Sequence, residues 1–78
     1  MNTSLYHQAL LITQDYLGPA AERFMVRQIT FHLHKTPLDL QVEDVPQLAQ
    51  WVKMSISVLT DDVRIVDDFT RRILSLVS

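Results

Sequence analysis

Apolar residues recur every three or four positions along most of the chain, the spacing that lines one face of an α-helix. At about 100° per residue, Leu5, Ala9, Ile12 and Tyr16 share a face with Tyr6, Leu10 and Leu17 beside them, and Ile65, Val66, Phe69, Ile73, Leu76 and Val77 share another. Both segments are one-sided. Two others are not. Between Val45 and Leu59 one stripe is Val45, Leu48, Val52, Ile56 and Leu59, and a second, nearly opposite, is Trp51, Met54 and Val58. Between Pro19 and Lys35, Ala20, Phe24 and Phe31 form one stripe, while Met25, Val26, Ile29 and Leu33 form another. A helix that is apolar on two sides has a second neighbour to meet, either in its own chain or in another molecule.

The breaks between these segments are marked by glycine, proline and capping residues. Gly18 followed by Pro19 joins a helix stop to a favoured first-turn residue, which predicts a helix-to-helix corner. Thr36 and Pro37 end the second segment, because proline disfavours the α conformation in the residue before it and cannot continue the ladder. His32, His34 and Lys35 fall in its last turns, where positive charge suits the helix dipole. Over 37–44 the alternation of Leu38, Leu40 and Val42 with polar residues predicts an extended connection packed on the domain. Asp44 is placed to cap a third helix with Pro46 in its first turn, and Thr60, Asp61 and Asp62 to start a fourth. The expectation is an all-α fold, a four-helix domain covering residues 1–78, with helices over 3–17, 19–35, 45–59 and 61–77.

Length bears on what such a fold can hide. A chain of 78 residues makes one domain, and a domain of this size buries only about 60 % of the surface its unfolded chain exposes. With 47 % hydrophobic residues, there is more apolar material than a small monomer easily covers. Association is therefore expected, through the second stripes. The net charge of −2 supplies no global field for nucleic acid or an anionic membrane. There is no cysteine, which removes disulfides and thiolate metal sites. The opening MNTSLYHQALLITQDYL has neither a basic n-region nor a small-residue cleavage site, and no apolar run approaches the roughly 20 residues of a membrane span. An unprocessed cytoplasmic protein is the expectation.

Candidate chemistry is sparse. His32 and His34 sit two residues apart, so on a helix they project about 200° from each other and do not converge on one ion. Asp61 and Asp62 suit a helix start, and Asp67 with Arg71 and Asp68 with Arg72 have the i,i+4 spacing of helix ion pairs. No nucleophile or base accompanies these carboxylates in a recognisable catalytic pattern. No catalytic residue, no cofactor-binding residue and no metal ligand is assigned. Arg23, Arg27, Thr30 and His34 line one polar stripe of the second helix, where Arg23 and Arg27, one turn apart, are placed to grip an anionic partner. Tryptophan and methionine are enriched at interface cores. Trp51, Met54 and Val58, with Phe24 and Phe31, accordingly form the candidate partner interface.

The stretch YLGPAAERFMVRQ, residues 16–28, resembles a short helical module found in bacterial signalling proteins, including chains with response-regulator or serine/threonine-kinase domains. VPQLAQWVKMSISVLTDD, residues 45–62, is similar in style to the second half of such modules. The resemblance covers about half the chain and implies a regulatory role without enzymatic activity. Together these features predict a non-catalytic protein-interaction or regulatory module that self-associates, with another protein as partner. The alternative is a small nucleic-acid-binding regulator whose Gly-Pro corner forms a helix-turn-helix with the second helix as reader.

Overall fold

A computed structural model describes residues 4–77. Among these, the regular structure is helical throughout. There are three long helices, α1 (Leu5–Leu17), α3 (Val45–Leu59) and α4 (Val63–Leu74), and a seven-residue helix, α2 (Ala21–Arg27). The expectation of four full-length helices is not met. The segment predicted as one helix over 19–35 is composite: a 3-10 turn over Gly18–Ala20, then α2, then a wide π-type turn over Gln28–His32. That turn falls where Ile29, Thr30 and Phe31 follow one another, β-branched and aromatic residues that lose rotamer freedom in a regular helix. No described helix is long and apolar enough to cross a membrane.

Capping explains most of the boundaries. Ser4 opens α1 by accepting the His7 N–H at 3.1 Å, and the predicted start at Thr3 lies outside the described residues. Gly18 closes α1 with φ 54° and ψ −128°, donating its N–H to the Gln14 carbonyl. Pro19 bars the α conformation at Gly18, and only glycine occupies this positive-φ region readily. The α2 segment and its π-type turn end without a glycine. His34 takes φ 57° there, and the Leu33 and Lys35 N–H groups both reach the Ile29 carbonyl, at 3.1 and 3.4 Å. A side chain in the left-handed region costs about 1–2 kcal/mol, part of which glycine's extra unfolded-state entropy offsets. His34→Gly should accordingly raise stability by about 0.5–1 kcal/mol; a lowered urea midpoint would show that the imidazole contributes more than the backbone strain costs.

The connection over 37–44 is not extended. It forms two 3-10 turns, Pro37–Asp39 and Val42–Asp44. Thr36 donates its hydroxyl to Asp39 at 2.6 Å across the first. In the second, the Asp44 carboxylate accepts the Gln41 N–H at 3.0 Å. Of the three alternating apolar residues only Leu40 enters the core; Leu38 and Val42 are exposed. Asp44 thus caps this turn and makes no side-chain cap to α3, contrary to the role expected for it. At α4 the expected cap is present: Asp62 donates its N–H to Thr60 Oγ1 at 3.1 Å and accepts the Arg64 N–H at 3.0 Å. The helix therefore begins at Val63 instead of Asp61.

Lys35 reaches Asp44 at 2.6 Å, joining the end of the π-type turn to the entry of α3. The lysine hydrogen bond holds the Asp44 carboxyl below the usual carboxylate range, partly opposed by burial and reinforced by the Gln41 N–H. A depressed folded-state pKa means the contribution is complete above the unfolded value of about 3.9 and is lost as pH falls through the lower folded value. Asp44→Asn should reduce stability at pH 7 and flatten the acid limb of the stability curve below about pH 4. Urea titrations at both pH values measure this; equal losses at each would deny the ionic contribution.

One core joins all four helices. Ala9 of α1, Met25 of α2, Ile29, Leu40, the α3 residues Val45, Leu48, Val52 and Ile56, and Val66, Phe69 and Ile73 of α4 are buried together. The first α3 stripe is thus internal, except Leu59, which is exposed, as are Ile65 and Val77 of the predicted α4 stripe. Phe69 is central. Its ring stacks on Tyr16 at 4.7 Å between centroids and lies 6.3 Å from Phe24. The i,i+4 pairs expected along α4 are not among the ion pairs of the described residues: Arg72 reaches instead across to α1, contacting Asp15 at 2.8 Å and the Tyr16 hydroxyl at 3.2 Å, and Arg71 lies nearest Asp68. Asp68 accepts the Tyr16 hydroxyl and has Arg71 at 3.9 Å. Burial first, then the Asp68 hydrogen bond, pushes the Tyr16 hydroxyl pKa up.

Candidate protein-docking groove

Short α2 and the C-terminal half of α3 leave a groove between them with a volume of about 750 Å³. Its α2 side carries Arg23, Phe24, Arg27 and Phe31, at spacings of three and four residues that place them along one flank. Its α3 side carries Ser55, Val58 and Leu59, with Ala20, Gln28 and His32 completing the lining. Hydrocarbon predominates on the walls. Phe31 is 65 % and Val58 84 % exposed, values at which a large apolar side chain has little protein around it.

Two polar contacts hold the base. Gln28, nearly buried, accepts the Ser55 hydroxyl at 3.0 Å, tying α3 to the π-type turn. His32 stacks on Trp51 at 4.0 Å between ring centroids and 9° between planes. Trp51 is thus half-buried against its own chain. Met54 is exposed one turn before Val58 on the same face of α3, outside the groove lining. Of the predicted interface, then, Phe24, Phe31 and Val58 come together in the groove, with Arg23 and Arg27 beside them. Trp51 and Met54 do not line it. Phe24 is shared, since its ring also approaches Phe69 in the core.

Gln28, Ser55, His32 and Leu59 were not anticipated. Ser55 and Leu59 follow one another at i,i+4 on the groove face of α3, a signal that periodicity contains. Gln28 and His32 had none: their roles arise from tertiary pairing with Ser55 and Trp51.

In its charged residues the groove differs from two other clefts. Arg27 Cζ lies 6.0 Å from the centre of the Phe31 ring, within cation–π range. Among the described residues neither Arg23 nor Arg27 has a carboxylate within ion-pair distance, and no Asp or Glu lines the groove. Two other clefts contain acids: Glu22 beside Arg23 and Val26 in one, Asp62 and Asp68 beside Arg64 and Arg71 in the other. Among the described residues no three His, Asp or Glu side chains are grouped to hold a metal ion.

No family model matches the chain, and no curated protein or solved structure is significantly similar to it.

Proposed function

We propose that this chain is a non-catalytic protein-interaction module that docks other proteins in the groove between α2 and α3 and self-associates weakly through the same face when no partner is bound. The exposure of Phe31, Met54, Val58 and Leu59 around one groove supports this most directly. Water meets these side chains in the isolated chain, and covering them returns about 25 cal/mol for each Å² removed from it. Apart from the two arginines, polar side chains at the groove are engaged within the chain: the Ser55 hydroxyl donates to Gln28 and the His32 ring stacks on Trp51. The resemblance of residues 16–28 to helical modules of bacterial signalling proteins supports a cytoplasmic regulatory setting.

A dilution series followed by amide NMR tests the proposal. Signals of Phe31, Met54 and Val58 should move with protein concentration, and Met54→Glu combined with Val58→Glu should remove the movement. Both side chains are exposed, so the double variant should stay within about 0.5 kcal/mol of wild-type stability per site. Concentration dependence on another surface, or none in the wild type, would reject self-association through this face. An unfolded double variant would show that these residues belong to the monomer's own core.

A further inference from the structure

Arg23 and Arg27 lie four residues apart on α2, so their Cα atoms are about 6 Å apart along the helix axis, and both line the groove. The chain has seven lysines and arginines. Lys35, Arg64, Arg71 and Arg72 each have a carboxylate of their own. Arg23, Arg27 and Lys53 have none among the described residues, although acids outnumber bases by nine to seven along the chain, and of these three only the two arginines line the groove. The groove is therefore locally positive on a molecule whose net charge is −2. Arg27 is also held over Phe31 at 6.0 Å, which keeps its planar fork beside the hydrocarbon wall.

We propose that the groove receives an amphipathic helix of another protein that carries acidic residues one turn apart beside its apolar stripe. The proposal rests on the interaction-module reading and specifies its partner. Apolar anchors at i, i+3 or i+4 and i+7 of such a helix settle on Phe24, Phe31, Val58 and Leu59. Carboxylates at i and i+4 match the spacing of Arg23 and Arg27, where charge-assisted, bidentate bonds form as the helix excludes water. A second copy of the chain satisfies the hydrocarbon but not the charge, since a two-fold contact brings arginines from both sides to the shared interface. Nucleic acid is a poorer match, because a duplex binder typically neutralises about 6–10 phosphates and only two cations face this groove.

The test uses the full chain, immobilised, and a displayed library of amphipathic helical peptides whose apolar stripe is constant and whose flanking positions are random. Recovered helices should be enriched in Asp and Glu at flanking positions four residues apart, should shift the Phe31 and Val58 amides, and should compete with the self-association of this face. Arg23→Gln with Arg27→Gln should weaken them about tenfold or more while sparing the fold. Intrinsic fluorescence of Trp51, the chain's one tryptophan, stacked on His32 beside the groove, provides the binding signal. Recovered helices with neutral or basic flanks, or an unchanged affinity in the double variant, would overturn the acidic partner while leaving the docking groove standing. A tight dimer that no helix displaces would make a second copy the occupant. Failure to recover any helix, with no concentration dependence at the groove, would remove both the partner and the module.

Discussion

Phe69→Ala should leave the chain largely unfolded at 25 °C. Phe69 is fully buried at the meeting of α1, α2 and α4, stacked on Tyr16 and adjacent to Phe24. Removing a buried phenylalanine costs about 3–5 kcal/mol, from lost transfer energy and from the cavity left behind. Domains are stable by only about 0.05–0.15 kcal/mol per residue, so the loss is of the same order as the whole stability of a chain this short. The cavity would open beneath the Tyr16 ring, whose hydroxyl is held by Asp68 and Arg72 and cannot drop inward without losing them. Collapse is thus resisted, which places the cost toward the upper end. Phe69→Leu keeps most of the volume and should retain cooperative unfolding. Circular dichroism and urea titration measure both, and a folded Phe69→Ala protein with a loss below about 1 kcal/mol would displace Phe69 from the centre of the core.

The sequence pattern carried most information where a helix buries one face and has strong punctuation. The α3 bounds, Val45 and Leu59, follow from Pro46 at one end and the Thr60-Asp-Asp cap at the other. The Gly18-Pro19 corner was equally plain, because glycine reaches backbone conformations other residues avoid and proline disfavours the α conformation before it. The second helix was harder to place. Met25 and Ile29 repeat with helical spacing into His32, and nothing in that spacing announces a π-type turn. The connection over 37–44 misled for a related reason. Three alternating apolar residues imitate a strand, yet local polar bonds from Thr36 and Asp44 win, and two of the three apolar side chains are left in water.

The groove was legible in part on the same grounds. Phe24, Phe31, Arg23 and Arg27 share a flank by helical spacing alone, and Val58 joins them because α3 has a second apolar side. What periodicity does not contain is the partner of each side chain. Trp51 has the sequence character of an interface anchor, but its ring is taken by His32 of the same chain. The surplus apolar surface is correspondingly narrower than two full stripes: Phe31, Met54, Val58 and Leu59 remain exposed, while Met25 and Ile29 turned into core. Arg23 and Arg27 have no carboxylate within ion-pair distance among the described residues. Arg72 shows the alternative, crossing to Asp15 on a neighbouring helix.

Gly18→Val should cost about 1–3 kcal/mol, the usual range for a side chain forced into a sparsely populated backbone region. At φ 54° and ψ −128° Gly18 lies outside the left-handed helical well, in territory used almost solely by glycine. A Cβ there would meet nothing within 4 Å, so the cost comes from the residue's own backbone and not from a clash with neighbours. That separates two explanations. Were the site merely crowded, alanine would be tolerated and valine not; with strain intrinsic to the dihedral angles, alanine carries much of the penalty and branching adds to it. Nor can the chain relax by returning Gly18 to the α conformation, because Pro19 blocks it. Relaxation by reorienting α2 would pull Met25 and Ile29 out of the core. Gly18→Ala and Gly18→Val should therefore both lower the urea midpoint, with valine lower. A midpoint unchanged by either would show that the corner between α1 and α2 does not depend on the glycine.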